Sequence, residues 1–188
     1  MTIWLTSDTH FNHKKVITYS NRPFSSIEEM NESLIKRHNS LVKPKDRVYH
    51  LGDLGFFKEK KDIENIYTQL NGYKIIIFGN HDQKYRKELV YVADEFYDIT
   101  EINHNGEHII LCHYPMHRWN KSHYGSLHCH GHVHGRLDAE NKLIRRYDVG
   151  VDANDHNYYP VSLDEVVEKL KKIPKPDIGR RHDMDELE

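Results

Sequence analysis

The run Tyr73–Phe78 (YKIIIF) is the most strand-committed stretch of the chain, and Gly79-Asn80 stops it. Just upstream, Ile63, Ile66, Tyr67 and Leu70 recur at helical spacing before Asn71-Gly72 ends the helix. The same sequence of events occurs earlier. Arg47–Leu51 (RVYHL) reads as a strand stopped by Gly52-Asp53. Before it, Ser26 with Glu29 caps a helix through about Asn39, with Ile27, Met30, Leu34 and His38 at helical spacing. The chain opens on a short strand, Thr2–Thr6 (TIWLT), that ends at Ser7-Asp8. Strand–helix–strand–helix–strand is the signature of a parallel sheet.

The second half reads differently. Glu95–Ile102, His108–Cys112, Ser126–Gly131 and Leu143–Val151 are expected strands, with irregular segments between them. They should form a second sheet packed on the first. Ser162 with Glu165 caps a last helix carrying Leu163, Val166, Val167 and Leu170. From Pro174 onward the chain has almost no apolar content and reads as a polar tail. The expected organisation is one α/β domain over 1–173 and a tail over 174–188, with no internal repeat.

Composition fits a globular chain rather than a membrane or fibrous one, with 37% hydrophobic and 30% charged residues among 188. No apolar run is long enough to cross a bilayer, and MTIWLTSDTHF lacks the regions of a signal peptide, so a cytoplasmic location is expected. Cys112 and Cys129 sit in no CxxC and read as free thiols in strands. The net charge of −2 gives no strong basic field, so the balance of charge does not point to nucleic acid. Histidine is the compositional oddity, at 16 residues, most of them clustered.

Five of those histidines fall in short segments where expected strands end. The segments are Asp8-Thr9-His10, Gly52-Asp53, Gly79-Asn80-His81-Asp82, Cys112-His113 and Gly131-His132-Val133-His134. Alternate side chains of an extended segment point the same way, so Asp8 and His10 can grip one ion, as can His132 and His134. Ligands in such sheets bind beyond the carboxyl ends of the strands. Mixed oxygen and imidazole donors suit divalent transition ions: Mn above all, with Fe, Zn, Ni or Co as alternatives. Seven donors of this mix exceed the needs of one ion and suit two ions sharing a carboxylate. Such pairs, about 3.5–4 Å apart, clamp the attacking and leaving oxygens of phosphoryl transfer.

In order along the chain, SDTHFNH, HLGD, FGNHD, LCHYP and HGHVHG resemble the motifs of the calcineurin-like metallophosphoesterase superfamily over residues 7–135. NRPF, CHYP and VGVD followed by YYPVS resemble a branch of small bacterial and phage-type members. The resemblance implies a two-sheet β-sandwich flanked by helices and hydrolysis of phosphate esters. It implies one ion held by Asp8, His10, Asp53 and His134. A second would be held by Asp53, Asn80, His113 and His132, with Asp53 bridging. It casts His81 as the catalytic histidine and Asp82 as its orienting carboxylate. GDLGFF and GNHD depart from the GDxVDRG and GNHE of the serine/threonine protein phosphatases, so that activity is not expected.

Around this set, Arg22, Asn12 and His13 are candidates for substrate contact. His128 and His130 share the ligand face of their strand, and at least one is expected to be a packed histidine. Tyr114, Trp119 and Tyr124 could stack on a base or serve as core and rim aromatics. The sequence thus predicts a phosphodiesterase or phosphomonoesterase acting on a small or nucleotide-like ester. Its alternatives are a nuclease on single-stranded or processed ends and a metal-binding interaction module without turnover. No oligomeric state follows from the sequence.

Overall fold

The computed structural model describes residues 1–176. In chain order it contains β1 (Ile3–Thr6), α1 (Lys14–Tyr19), α2 (Ile27–Leu41), β2 (Arg47–His50), α3 (Lys60–Gln69), β3 (Tyr73–Ile77), α4 (Arg86–Val92) and β4 (Glu95–Tyr97). There follow β5 (Ile99–His104), β6 (Glu107–Cys112), β7 (Leu127–His130), α5 (Asp138–Asn141), β8 (Arg146–Asp148), β9 (Val161–Ser162) and α6 (Leu163–Lys171).

The strands form two sheets, ordered β4-β3-β2-β1-β9 and β5-β6-β7-β8. In the first, β1 to β4 are mutually parallel and β9 runs antiparallel to β1. In the second, β6, β7 and β8 are parallel and β5 is antiparallel to β6. The period of two along each strand decides what lies between the sheets. Leu5, Tyr49, Ile75 and Ile77 from the first sheet meet Ile109, Leu111, Leu127 and Cys129 from the second, closed at one side by Leu163, Val166 and Leu170 of α6. Ile76 points the other way, into a second core with Met30 and Leu34 of α2 and Ile63 and Ile66 of α3. The result is the expected helix-flanked, two-sheet α/β sandwich.

Two expected strands are corrected. Glu95–Ile102 is not one strand: it breaks at Asp98, which takes two hydrogen bonds from Arg86, and the two pieces join different sheets. Leu143–Val151 contracts to Arg146–Asp148, because α5 and the turn after it use the preceding residues. Ser26 and Ser162 each accept the backbone N–H three residues on, as their caps predict. The glutamate at the first cap instead reaches back to Ser25. Both cysteines are free thiols; Cys129 is fully buried, and burial pushes it up to about 12. The expected tail is described only through Pro176, and the rest of it lies outside the described residues.

Because β1, β2, β3, β6 and β7 point in compatible directions, their carboxyl ends open on one edge of the sandwich. The loops after β1 and β2 continue to zip together beyond the sheet, with Asp8 N–H donating to Gly52 O (3.0 Å), His10 N–H to Asp53 O (3.1 Å) and Phe11 N–H to Leu54 O (2.9 Å).

Candidate metal centre

At that edge the side chains gather into two groups. Asp8, His10 and His134 form one, and Asp53, His113 and His132 form the other; in each, one donor atom per residue lies within 4.8 Å of the others. Asp53 lies between them, with Oδ2 3.8 Å from His10 Nε2 and Oδ1 3.6 Å from His113 Nε2. Asn80 Oδ1 joins the second group, 3.1 Å from His113 Nε2 and 3.0 Å from His132 Nδ1. All seven residues picked out at strand ends are therefore together, but His132 and His134 fall in different groups rather than sharing one ion's place.

The backbone is bent to achieve this. Asp8, His10, Asp53, His132 and His134 all have positive φ, between 50° and 74°. That region is disfavoured for residues with a Cβ and costs about 1–2 kcal/mol each. Its concentration at donor residues marks a functional constraint. Glycine fills the tightest approaches. A Cβ on Gly79 would strike the Asp53 carboxylate, and one on Gly131 would strike Ser7 and Asp8. His132, though exposed, packs its ring on those of His113 and Tyr114 at 5.1 and 4.9 Å and meets Asn80 Oδ1 at 3.0 Å, contacts of its own side chain that hold the strained loop.

The protonation pattern fits a bound cation. Burial pushes Asp8 up to about 8, with Asp148 and Asp53 adding to it against His134. Burial also raises Asp53, against the His81 N–H and nearby imidazoles. Both carboxylates are thus costly to ionise without positive charge beside them. Three of the imidazoles are held neutral, the form that coordinates; at His134 burial works the same way, but the hydrogen bond to Asp152 and the charges of Asp8 and Asp152 outweigh it and raise the ring above its usual value. Burial drives His10 far down, takes His113 to about 4 and lowers His132. His113 Nδ1–H donates to Leu51 O at 2.7 Å, which leaves Nε2 to face Asp53 and Asn80. The buried Nδ1 of His10 has no hydrogen-bond partner among the described residues. Two carboxylates, four imidazoles and an amide oxygen are a donor set that fits divalent transition ions.

Several expected roles change. Asp82 does not orient His81. Its buried carboxylate accepts the backbone N–H groups of Asp53 (2.7 Å), Leu54 (2.9 Å) and Gly79 (2.8 Å), tying the loops after β2 and β3 together. Arg22 does not face substrate. Its side chain is fully enclosed and spends its donors on Asp152 and on the carbonyls of Asp8 and Thr9. Asn12 turns toward α2, exchanging hydrogen bonds with Asn31. His13 stays beside the centre, stacked on Phe56 at 3.9 Å and 5.4 Å from the His10 ring. His128 and His130 are both packed: their nitrogens meet the carbonyls of Ile110, Tyr114 and Gly131 and the side chain of Asn141. Tyr114 lines the rim against His113 and His132, whereas Trp119 donates to Ser126 O.

His81 stands at the mouth, its side chain 43% exposed and Nε2 3.8 Å from Asp53 Oδ2. Its backbone N–H holds Asp53 Oδ1 at 3.0 Å. The residue missed from sequence is Asp152, whose Oδ2 accepts His134 Nδ1–H at 2.7 Å. Burial pulls its carboxyl up, but His134 and Arg22 outweigh that and hold it below the usual range. The signal was present: VGVD is one more acid after an apolar run.

The calcineurin-like phosphoesterase superfamily domain matches the chain over residues 1–151. An uncharacterized protein of Methanocaldococcus jannaschii is 40% identical over 173 residues, covering 90% of this chain and 92% of its own length. The Gene 66 protein of Mycobacterium phage L5 is 26% identical over 199 residues, covering 90% and 94%. A crystal structure of an Aquifex aeolicus protein of unknown function superposes with a TM-score of 0.72 at 28% identity, covering 89% of this chain and 98% of that one.

Proposed function

Because the chain belongs to the calcineurin-like phosphoesterase superfamily, we propose that it hydrolyses phosphate esters through two divalent transition-metal ions, with Mn preferred. The observation that carries this reading is the pair of three-residue donor groups joined through Asp53. When bound, such ions supply Lewis acidity to a phosphoryl group and a nucleophile from water near neutral pH.

The chain's own residues do the rest. Asp8, His10 and His134 would hold one ion, and Asn80, His113 and His132 the other, with Asp53 shared. Asp82 keeps the Asp53 and Asn80 loops in register through three backbone hydrogen bonds. His81, half-exposed beside Asp53, would give a proton to the leaving oxygen. His13 and Phe56 on one side and Tyr114 on the other form an aromatic rim suited to a small, nucleotide-like ester.

The test is a substrate panel with added Mn²⁺: bis-p-nitrophenyl phosphate, p-nitrophenyl phosphate, cyclic nucleotides and oligonucleotides. Turnover of small esters that EDTA removes and Mn²⁺ restores is the expected outcome. Cleavage of oligonucleotides alone, steeply weakened by salt, would establish a nuclease instead. No turnover of any ester by fully loaded protein would leave a metal-binding module.

A further inference from the structure

We propose that Arg22 and Asp152 form a clamp that builds one half of the centre in advance, so that the Asp8–His10–His134 group is the tighter of two unequal ion sites. The inference rests on the two-ion reading above. One enclosed guanidinium reaches every part of this group except His10. Its Nε and Nη2 grip the two oxygens of Asp152 at 2.9 and 2.7 Å. Nη2 also donates to Asp8 O at 2.6 Å, and Nη1 to Thr9 O at 2.8 Å. Asp152 passes the constraint to His134 through the 2.7 Å bond to Nδ1, where Ser20 Oγ also lies at 3.3 Å. Both the backbone that aims Asp8 and the ring of His134 are therefore fixed from one point. The planar, forked geometry of arginine makes this possible, since a lysine cannot hold a carboxylate in two places and reach two carbonyls.

The other group has no such support on its open side. His132 and Asn80 are exposed, and Asn80 Oδ1 meets the rings of His132 and His113. His113 is anchored through Leu51 O and the shared Asp53 through the His81 N–H, but among the described residues no carboxylate is hydrogen-bonded to the His132 ring. Donors fixed beforehand lose less freedom when an ion arrives. A partner that orients a ligating histidine is typically worth about 10–100-fold in metal affinity. The clamp does so for His134, and nothing comparable does so for His132. The enzyme would then keep one ion and draw the second from the surrounding pool, and its activity would follow free metal.

Titration of stripped protein with Mn²⁺ against a metallochromic chelator tests this. Wild type should bind in two phases. Asp152→Asn, nearly isosteric, should weaken the tight phase by about 10–100-fold and leave the weak phase in place. His134→Gln should erase the tight phase and His132→Gln only the weak one, a comparison that keeps both Arg22 and Asp152 and decides which group is the tighter even if Asp152→Asn does not fold. Two phases with the tight one indifferent to Asp152→Asn, or lost with His132→Gln, would overturn the proposal. A single phase in wild type at excess ion would instead overturn the two-ion reading, and the inequality with it.

Discussion

Asp53→Asn is expected to cut turnover by about 10³-fold or more, the equivalent of several kcal/mol of charge stabilisation. Among the described residues Asp53 is the carboxylate within 4 Å of imidazoles of both groups, at 3.8 Å from His10 and 3.6 Å from His113. Asparagine keeps its volume but removes the charge and turns one acceptor into a donor facing neutral imidazoles. Both ions of the proposed centre lose a shared donor. Fold stability should not fall with activity. Burial already makes the Asp53 charge unfavourable in the stripped protein, so a neutral amide costs the apo fold little. Elemental analysis and chemical denaturation in chelator separate the two effects. A variant that keeps two ions and the parental rate would refute the bridging role.

His81→Ala should lower turnover by about 10²–10⁴-fold while leaving metal content unchanged, the usual worth of a positioned proton donor. The geometry favours such a role. His81 follows Asn80, whose oxygen faces His113 and His132, while its own ring turns outward at the mouth. The loss should be large for an alkoxide leaving group, which needs a proton, and small for p-nitrophenolate, which does not. Loss of metal in the variant would make His81 a ligand. Native rates on both substrates would shift the search to His13, whose ring centroid lies 6.5 Å from that of His81.

Much of this was legible in the sequence, for a physical reason. A β-run such as YKIIIF and a helix with a serine cap declare themselves locally, and β3, α2 and α6 follow. Donor residues at strand ends are likewise a local pattern, and all seven assemble. The failures are non-local. Nothing within Glu95–Ile102 says that its halves belong to different sheets. Arg22 reads as a site residue because a guanidinium suits phosphate and NRPF belongs to the resemblance, and Asp82 because it directly follows His81. Their actual partners are Asp152, 130 positions away, and the backbone at Asp53, 29 positions away. The short helices α1 and α4 went unseen because neither has a side-chain cap.

The spacing of the donors along the chain also sets an order of events during synthesis. His134 comes 126 residues after Asp8 by number, and Asp53 waits 60 residues for His113 and 79 for His132. The ribosome releases the first β-strand with its aspartate and histidine long before their third partner exists. Domains usually fold as units as they emerge, at about 5–20 residues per second. Neither donor group can close until the second sheet has been made and has docked on the first. Ion capture is therefore a late event in the life of this chain, and a nascent fragment ending before the GHVH segment would leave the ribosome with each cage one donor short.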